Sequence, residues 1–243
     1  MWFFNQYQYN GFLKICILIF IVIPGGVWYA FYRFNRKFNQ KYRIQNRRIV
    51  KEENMINEAI EFATKAHEGQ FRKGTKRPYI VHPVEVADIV TSMTDDEEVI
   101  CAAVLHDTIE DCSWVTRDLL VEKFGERVAS LVQHESEDKS KTWEERKSAT
   151  IAHLKDAPRE IRMIALGDKL SNMRDIDRDY PKFGEDFWLR FRMKSKDAMG
   201  WYYKSLKEVL KDGFEQERAY QEYCQLVEKH FGKEPANLDW KKQ

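Results

Sequence analysis

The chain has 243 residues, 43% of them hydrophobic and 33% charged, a balance that excludes a disordered polar tract or a collagen-like repeat and suits one or two globular domains. The net charge of +1 hides an asymmetry: residues 1–50 carry eight basic side chains and no acidic one, leaving 32 basic against 39 acidic in residues 51–243. A net acidic main body speaks against nucleic-acid binding, so no nucleic-acid partner is expected.

The first element is apolar. Between Lys14 and Arg33 lie 18 uncharged residues, and Gly11 to Leu13 extend the apolar character, close to the roughly 20 residues that a helix needs to span a bilayer. Aromatic residues flank the run on both sides, as they do at membrane interfaces, while Pro24-Gly25-Gly26 weakens the helix near its end. The segment lacks the basic start and small-residue cleavage site of a signal peptide. Residues 1–32 are therefore expected to form a single transmembrane anchor, entering the membrane through residues 11–32.

Residues 33–50 follow as a basic juxtamembrane connector. Arg33, Arg36, Lys37, Lys41, Arg43, Arg47 and Arg48 lie after the span and only Lys14 before it, which predicts a single-pass cell-membrane protein with its main body in the cytoplasm. The four cysteines, Cys16, Cys101, Cys112 and Cys224, form no CxxC pair and fit a reducing compartment, with structural rather than chemical roles.

From residue 51 onward apolar residues recur at spacings of three and four, as in Ile56, Ala59, Ile60 and Ala63, or Val99, Ile100 and Ala103. Thr94 with Glu97 and Thr142 with Glu145 have capping-box spacing, and Pro83 and Pro158 suit first turns. No stretch alternates as a half-buried strand does. The expected fold is all-α, a helical bundle over 51–212 preceded by the one transmembrane helix and followed by a C-terminal helical extension over 213–243.

Three fragments inside that bundle carry chemistry: Tyr79 to Pro83, then Leu105 to Asp111, then Ala165 to Arg174. Placed on a helix, the adjacent pair His106-Asp107 would point two ligands about 100° apart, able to converge on one ion with ligands from neighbouring helices. His82, His106, Asp107 and Asp168 would make a mixed nitrogen and oxygen site suited to manganese, iron or zinc. Each polar element is embedded in apolar residues, where an unpaired charge would be costly and a metal would resolve that cost.

The strings EGQFRKGTKRPYIVHP, LHDTIED, ESEDK at 135–139 and GDKLSNMRD, taken together and in this order, resemble the HD-domain alarmone hydrolases, the hydrolase half of RelA/SpoT enzymes and their small stand-alone homologues. The resemblance covers roughly residues 52–212. It implies an HD-domain helical bundle that uses Mn2+, with another divalent ion as an alternative, to remove the 3′-diphosphate of guanosine tetra- or pentaphosphate, giving GDP or GTP and pyrophosphate. It further implies His82, His106, Asp107 and Asp168 as metal ligands and Glu110 and Asp111 as the catalytic acidic pair. Arg72 and Lys73 would line the nucleotide pocket, and Asn172 would reach the ribose or reacting centre.

On a continuous helix Glu110 and Asp111, four residues after His106 and Asp107, would face the same site. For Lys76, Arg77 and Lys139 a solvated charge is at least as good a reading, and Tyr79, His67 and His134 are read as packing or surface residues. Two departures stand out: Gly167 where relatives commonly have alanine, at a cost of roughly 1 kcal/mol in mid-helix, and ESEDK in place of a TDDK-like form. Competing expectations are hydrolysis of another phosphorylated nucleotide, such as a 2′-phosphorylated dinucleotide, and a nucleotide-sensing or antitoxin-like binding module. The sequence points to no particular protein partner.

Overall fold

The computed structural model describes residues 55–134, 140–191 and 193–237; the predicted span, the connector and the ESEDK stretch lie outside the described residues. Among the described residues all regular structure is helical, as the three-and-four periodicity predicts, and extended backbone pairs only in an isolated bridge between Phe71 and Pro78. None of these helices is long and apolar enough to cross a membrane. Helix α1 covers residues 55–66. It is followed by α2 (Val81–Thr91), α3 (Glu97–Leu105), α4 (Thr108–Asp111), α5 (Arg117–Phe124) and α6 (Glu126–Gln133). Then come α7 (Trp143–Asp156), α8 (Arg159–Phe183), a 3-10 turn (Gly184–Arg190), α9 (Lys196–Leu210) and α10 (Arg218–Phe231).

Helix α8 is the axis of the fold. Its 25 residues bury Ile161, Ile164, Ala165, Leu166, Leu170, Met173 and Ile176, and it packs against α2, α3, α9, α10 and the 3-10 turn. Each fully buried aliphatic side chain of this kind contributes about 1.5–3 kcal/mol relative to exposure, which is why the helix sits centrally despite the polar residues on its other stripe. Gly167 has a packing reason: a Cβ there would stand 3.1 Å from Val86 Cγ1 and 3.2 Å from the Val86 carbonyl oxygen. The missing side chain lets α2 approach α8 closely, which offsets the propensity cost.

The start signals are partly as read. Thr142 and Glu145 form the full capping box of α7, each side chain bonded to the other's backbone. At α3 the expected pair gives way to Asp96, whose carboxylate accepts from Glu98 N, while Thr94 Oγ1 accepts from Asp96 N one step earlier. Pro83 lies in the first turn of α2, and Pro158 is the N-cap of α8 instead of its first residue.

Asp96 also takes a bidentate pair from Arg127 on α6, which holds its carboxyl below the usual carboxylate range, with the backbone bonds adding to the effect. Because the folded-state value is the lower one, this contribution is present above the unfolded value of about 4 and is lost as pH falls through the folded value. Asp96→Ala is expected to cost about 1 kcal/mol at neutral pH. In urea titrations the gap between the two proteins should narrow below about pH 4; a constant gap would remove the charge from the explanation.

Candidate active site

Four side chains from three separate places meet at one point. His82 lies in the first turn of α2, Asp168 in the middle of α8, and His106 and Asp107 at the junction of α3 and α4. The junction corrects the expectation of a continuous helix: α3 ends at Leu105 and Asp107, with φ −91° and ψ −7°, turns the chain before α4 begins. His82 Nε2 is 3.2 Å from Asp168 Oδ1 and 3.5 Å from Asp107 Oδ2; His106 Nε2 is 3.1 Å from Asp107 Oδ2 and 4.0 Å from Asp168 Oδ1. His82, His106 and Asp107 offer ligand atoms all within 4.8 Å of one another, so this group can hold a metal ion.

The donor chemistry fits a cation. His106 Nδ1 is 2.8 Å from the Ala103 carbonyl, which only accepts, so this nitrogen carries a proton and Nε2 is turned to the centre. Buried Nε2 makes no hydrogen bond among the described residues, although two carboxylates lie beside it. Burial by itself would depress the imidazole, but Asp107 and Asp168 outweigh it and raise His106 to about 9. The field there favours positive charge. Burial depresses His82 below its ordinary value, leaving a neutral ring suited to metal ligation. For both aspartates burial works against ionisation and is overcome, at Asp107 chiefly by His106 and at Asp168 chiefly by Lys169, so both stay well below the ordinary range.

His82, Asp107 and Asp168, with His106 directly behind Asp107, sit in the wall of a cavity of about 520 Å³, within the usual size of a small-molecule site. Glu110 and Asp111 of α4 line it, as do Arg72, Lys73 and Asn172. Asn172 joins two parts of the site: its Nδ2 donates to Asp168 Oδ1 at 2.5 Å and its Oδ1 accepts from Arg72 at 2.6 Å. Arg72 is fixed further by Asp175 at 2.8 Å and lies over the Tyr79 ring, 5.3 Å from its centroid. Arg77 pairs with Asp175 at 3.0 Å, and Lys139 lies outside the described residues.

Tyr79, read as packing, has a specific partner: its hydroxyl donates to Asp107 Oδ2 at 2.6 Å. Burial, with Asp107 and Asp111 adding to it, pushes the phenol far above its ordinary value, so it remains a donor. His67 is buried against the Tyr79 ring and bonded to Gln70 at 2.8 Å, whereas His134 is exposed and stacked on His153. The sequence reading missed the far wall: Trp143, Arg146 and Lys147 of α7, Arg190 of the 3-10 turn, and Tyr202 of α9. Gly74 packs against the Arg190 side chain of that wall, where a Cβ would meet Nε at 3.1 Å. One signal for the near wall was available, the spacing of Asp168, Asn172, Asp175 and Asp179, which keeps a polar stripe on one face of α8.

Comparison with known proteins follows from this geometry. The HD-domain family model matches residues 59–186. The guanosine-3′,5′-bis(diphosphate) 3′-pyrophosphohydrolase of Danio rerio is 38% identical over 128 residues, which cover 51% of this chain and 71% of that protein. The protein of the same description from Xenopus tropicalis is 36% identical over 131 residues, 53% of this chain and 73% of that one. Among solved structures, a metazoan orthologue of SpoT that hydrolyses ppGpp aligns with a TM-score of 0.62 over 74% of this chain and 97% of its own; at 24% identity this likeness carries the fold.

Proposed function

The chain belongs to the HD-domain family, and from that premise we propose that it is a metal-dependent hydrolase that cleaves the 3′-diphosphate from guanosine tetra- or pentaphosphate, yielding GDP or GTP and pyrophosphate. The observation that carries the reading is the convergence of His82, His106, Asp107 and Asp168 at the edge of a cavity whose walls also supply carboxylates and cations. Relatives described by that activity, covered over more than two thirds of their length, support the choice of substrate.

His82, His106, Asp107 and Asp168 would hold the ion, for which manganese is the first choice and iron or zinc remain compatible with the ligand types. When bound, a divalent ion supplies Lewis-acid charge to the phosphoryl group and makes water a better nucleophile at neutral pH. Glu110 and Asp111, on the short helix beside Asp107, orient the attacking water and take its proton. Tyr79 holds the Asp107 carboxylate in place through its hydroxyl. Arg72 and Lys73 would meet phosphate or purine, and Asn172, between Asp168 and Arg72, would reach the ribose or the reacting centre. Arg146, Lys147 and Arg190 add the positive charge that a substrate with four or five phosphates requires.

The test is substrate ranking. With manganese present, guanosine tetraphosphate is expected to be turned over faster than 2′-phosphorylated dinucleotides or 3′-monophosphorylated nucleotides. Preference for one of those would replace the alarmone, and binding without turnover would leave a sensing or antitoxin-like module.

For residues 11–32 the proposal is a single membrane anchor, with the enzymatic body in the cytoplasm; the apolar run and the basic residues that follow it support this. Alkaline carbonate should leave the chain in the membrane pellet. Release into the supernatant would replace the span with an interfacial helix bent at Pro24-Gly25-Gly26.

A further inference from the structure

His82 can serve as a ligand through Nε2 only if its proton sits on Nδ1, and the two carboxylates facing Nε2 pull the other way, since Asp168 Oδ1 at 3.2 Å would accept an Nε2 proton. Something on the far side of the ring must decide. Nδ1 is 2.9 Å from Ser171 Oγ, a buried hydroxyl three residues after Asp168 on α8. A hydroxyl has one proton to give, and Ser171 gives it to Glu85 Oε2 at 2.7 Å. An ionised carboxylate can only accept, so the Ser171 oxygen is left to accept from His82 Nδ1.

Glu85 is itself held. Arg174 reaches its other oxygen, Oε1, at 3.2 Å and forks onto both oxygens of Glu222 at 2.6 and 2.7 Å. Glu222 belongs to α10, beyond the 59–186 segment matched by the family model. The direction of each bond in the row from Glu222 to His82 is therefore set by a carboxylate that cannot donate and a guanidinium that cannot accept.

We propose that Ser171 and Glu85 are positioning residues for the metal site: by fixing the direction of one hydrogen bond they keep the proton of His82 on Nδ1 and its Nε2 lone pair on the ion. The inference rests on the reading of His82 as a ligand. Neither residue touches substrate; both act through the imidazole, as outer partners of ligating histidines do.

Two variants separate this role from packing. Ser171→Ala removes the acceptor. Glu85→Gln keeps size and hydrogen bonding, but with its oxygen held by Arg174 its amide nitrogen donates to Ser171, which then turns its own proton toward Nδ1. Manganese(II) alone is titrated into the metal-free 243-residue chain and each variant, with thermal unfolding of the metal-free proteins as the control. Both variants are expected to bind manganese about 10- to 100-fold more weakly. Ser171→Ala also strands the buried Nδ1 proton and should unfold at a lower temperature, whereas Glu85→Gln, which keeps every bond of the row, should leave the midpoint unchanged. Unchanged affinity in Glu85→Gln, or a loss accompanied by a lowered midpoint in that variant, would overturn the positioning role. An unaltered chain that binds no manganese would overturn the ligand reading and this proposal with it.

Discussion

Asp107→Ala is expected to remove metal and turnover together. Asp107 approaches both histidines through one oxygen, 3.1 Å from His106 Nε2 and 3.5 Å from His82 Nε2, so its loss takes away a carboxylate shared between the two rings. The affinity loss should exceed the roughly 10- to 100-fold that follows removal of an outer partner, because here the ligand itself is missing. Folding is the competing explanation, since the change leaves the Tyr79 hydroxyl only its longer contact with Asp111 Oδ2 at 3.4 Å, and a poorly satisfied buried donor costs up to about 1–3 kcal/mol. Asp107→Asn, which keeps an acceptor for Tyr79, separates the two: it should fold like the unaltered chain and still bind metal poorly. Full metal occupancy by elemental analysis in either variant would sink the ligand assignment.

Glu110→Gln should do the reverse, keeping the metal and losing turnover. The residue lines the cavity from α4, one turn past the His106-Asp107 junction, and does not belong to the group of converging ligand atoms. An amide preserves its shape but cannot accept a proton, and loss of a positioned general base typically costs about 10²–10⁴-fold. The loss should appear in kcat, with manganese affinity unchanged. Turnover close to that of the unaltered chain would transfer the role to Asp111, which shares the helix and the cavity.

Much of this site was legible before any fold was known, because the three fragments each place a histidine or aspartate inside an apolar run, and burial of such groups demands a partner. The three-and-four periodicity likewise located the helices, since a 3.6-residue repeat with no alternating stretch leaves few other options. What could not be read is where chain direction changes. The break at Asp107 is a modest shift of one residue's backbone angles, to φ −91° and ψ −7°, and LHDTIED reads as helical throughout. Nor could spacing reveal that Arg146 and Arg190 share a wall with Asp168, since three elements supply these groups and only packing around α8 brings them together. Tyr79 escaped for a different reason: a tyrosine three residues from a histidine is ordinary, and its role depends on a hydrogen bond across 28 positions of chain. Gly167 looked like a cost in the sequence and proved to be a close approach of two helices.

The proposed reaction cleaves one specific bond: water adds to the phosphorus attached to the ribose 3′-oxygen, the bond to that oxygen breaks, and the diphosphate is released intact. Phosphorus-31 spectra of the chain with manganese and guanosine tetraphosphate read this directly. Pyrophosphate and GDP are expected in equal amounts, with no orthophosphate at early times and no products from Asp107→Ala. Orthophosphate as the first product, or substrate unchanged in the presence of bound manganese, would contradict that cleavage.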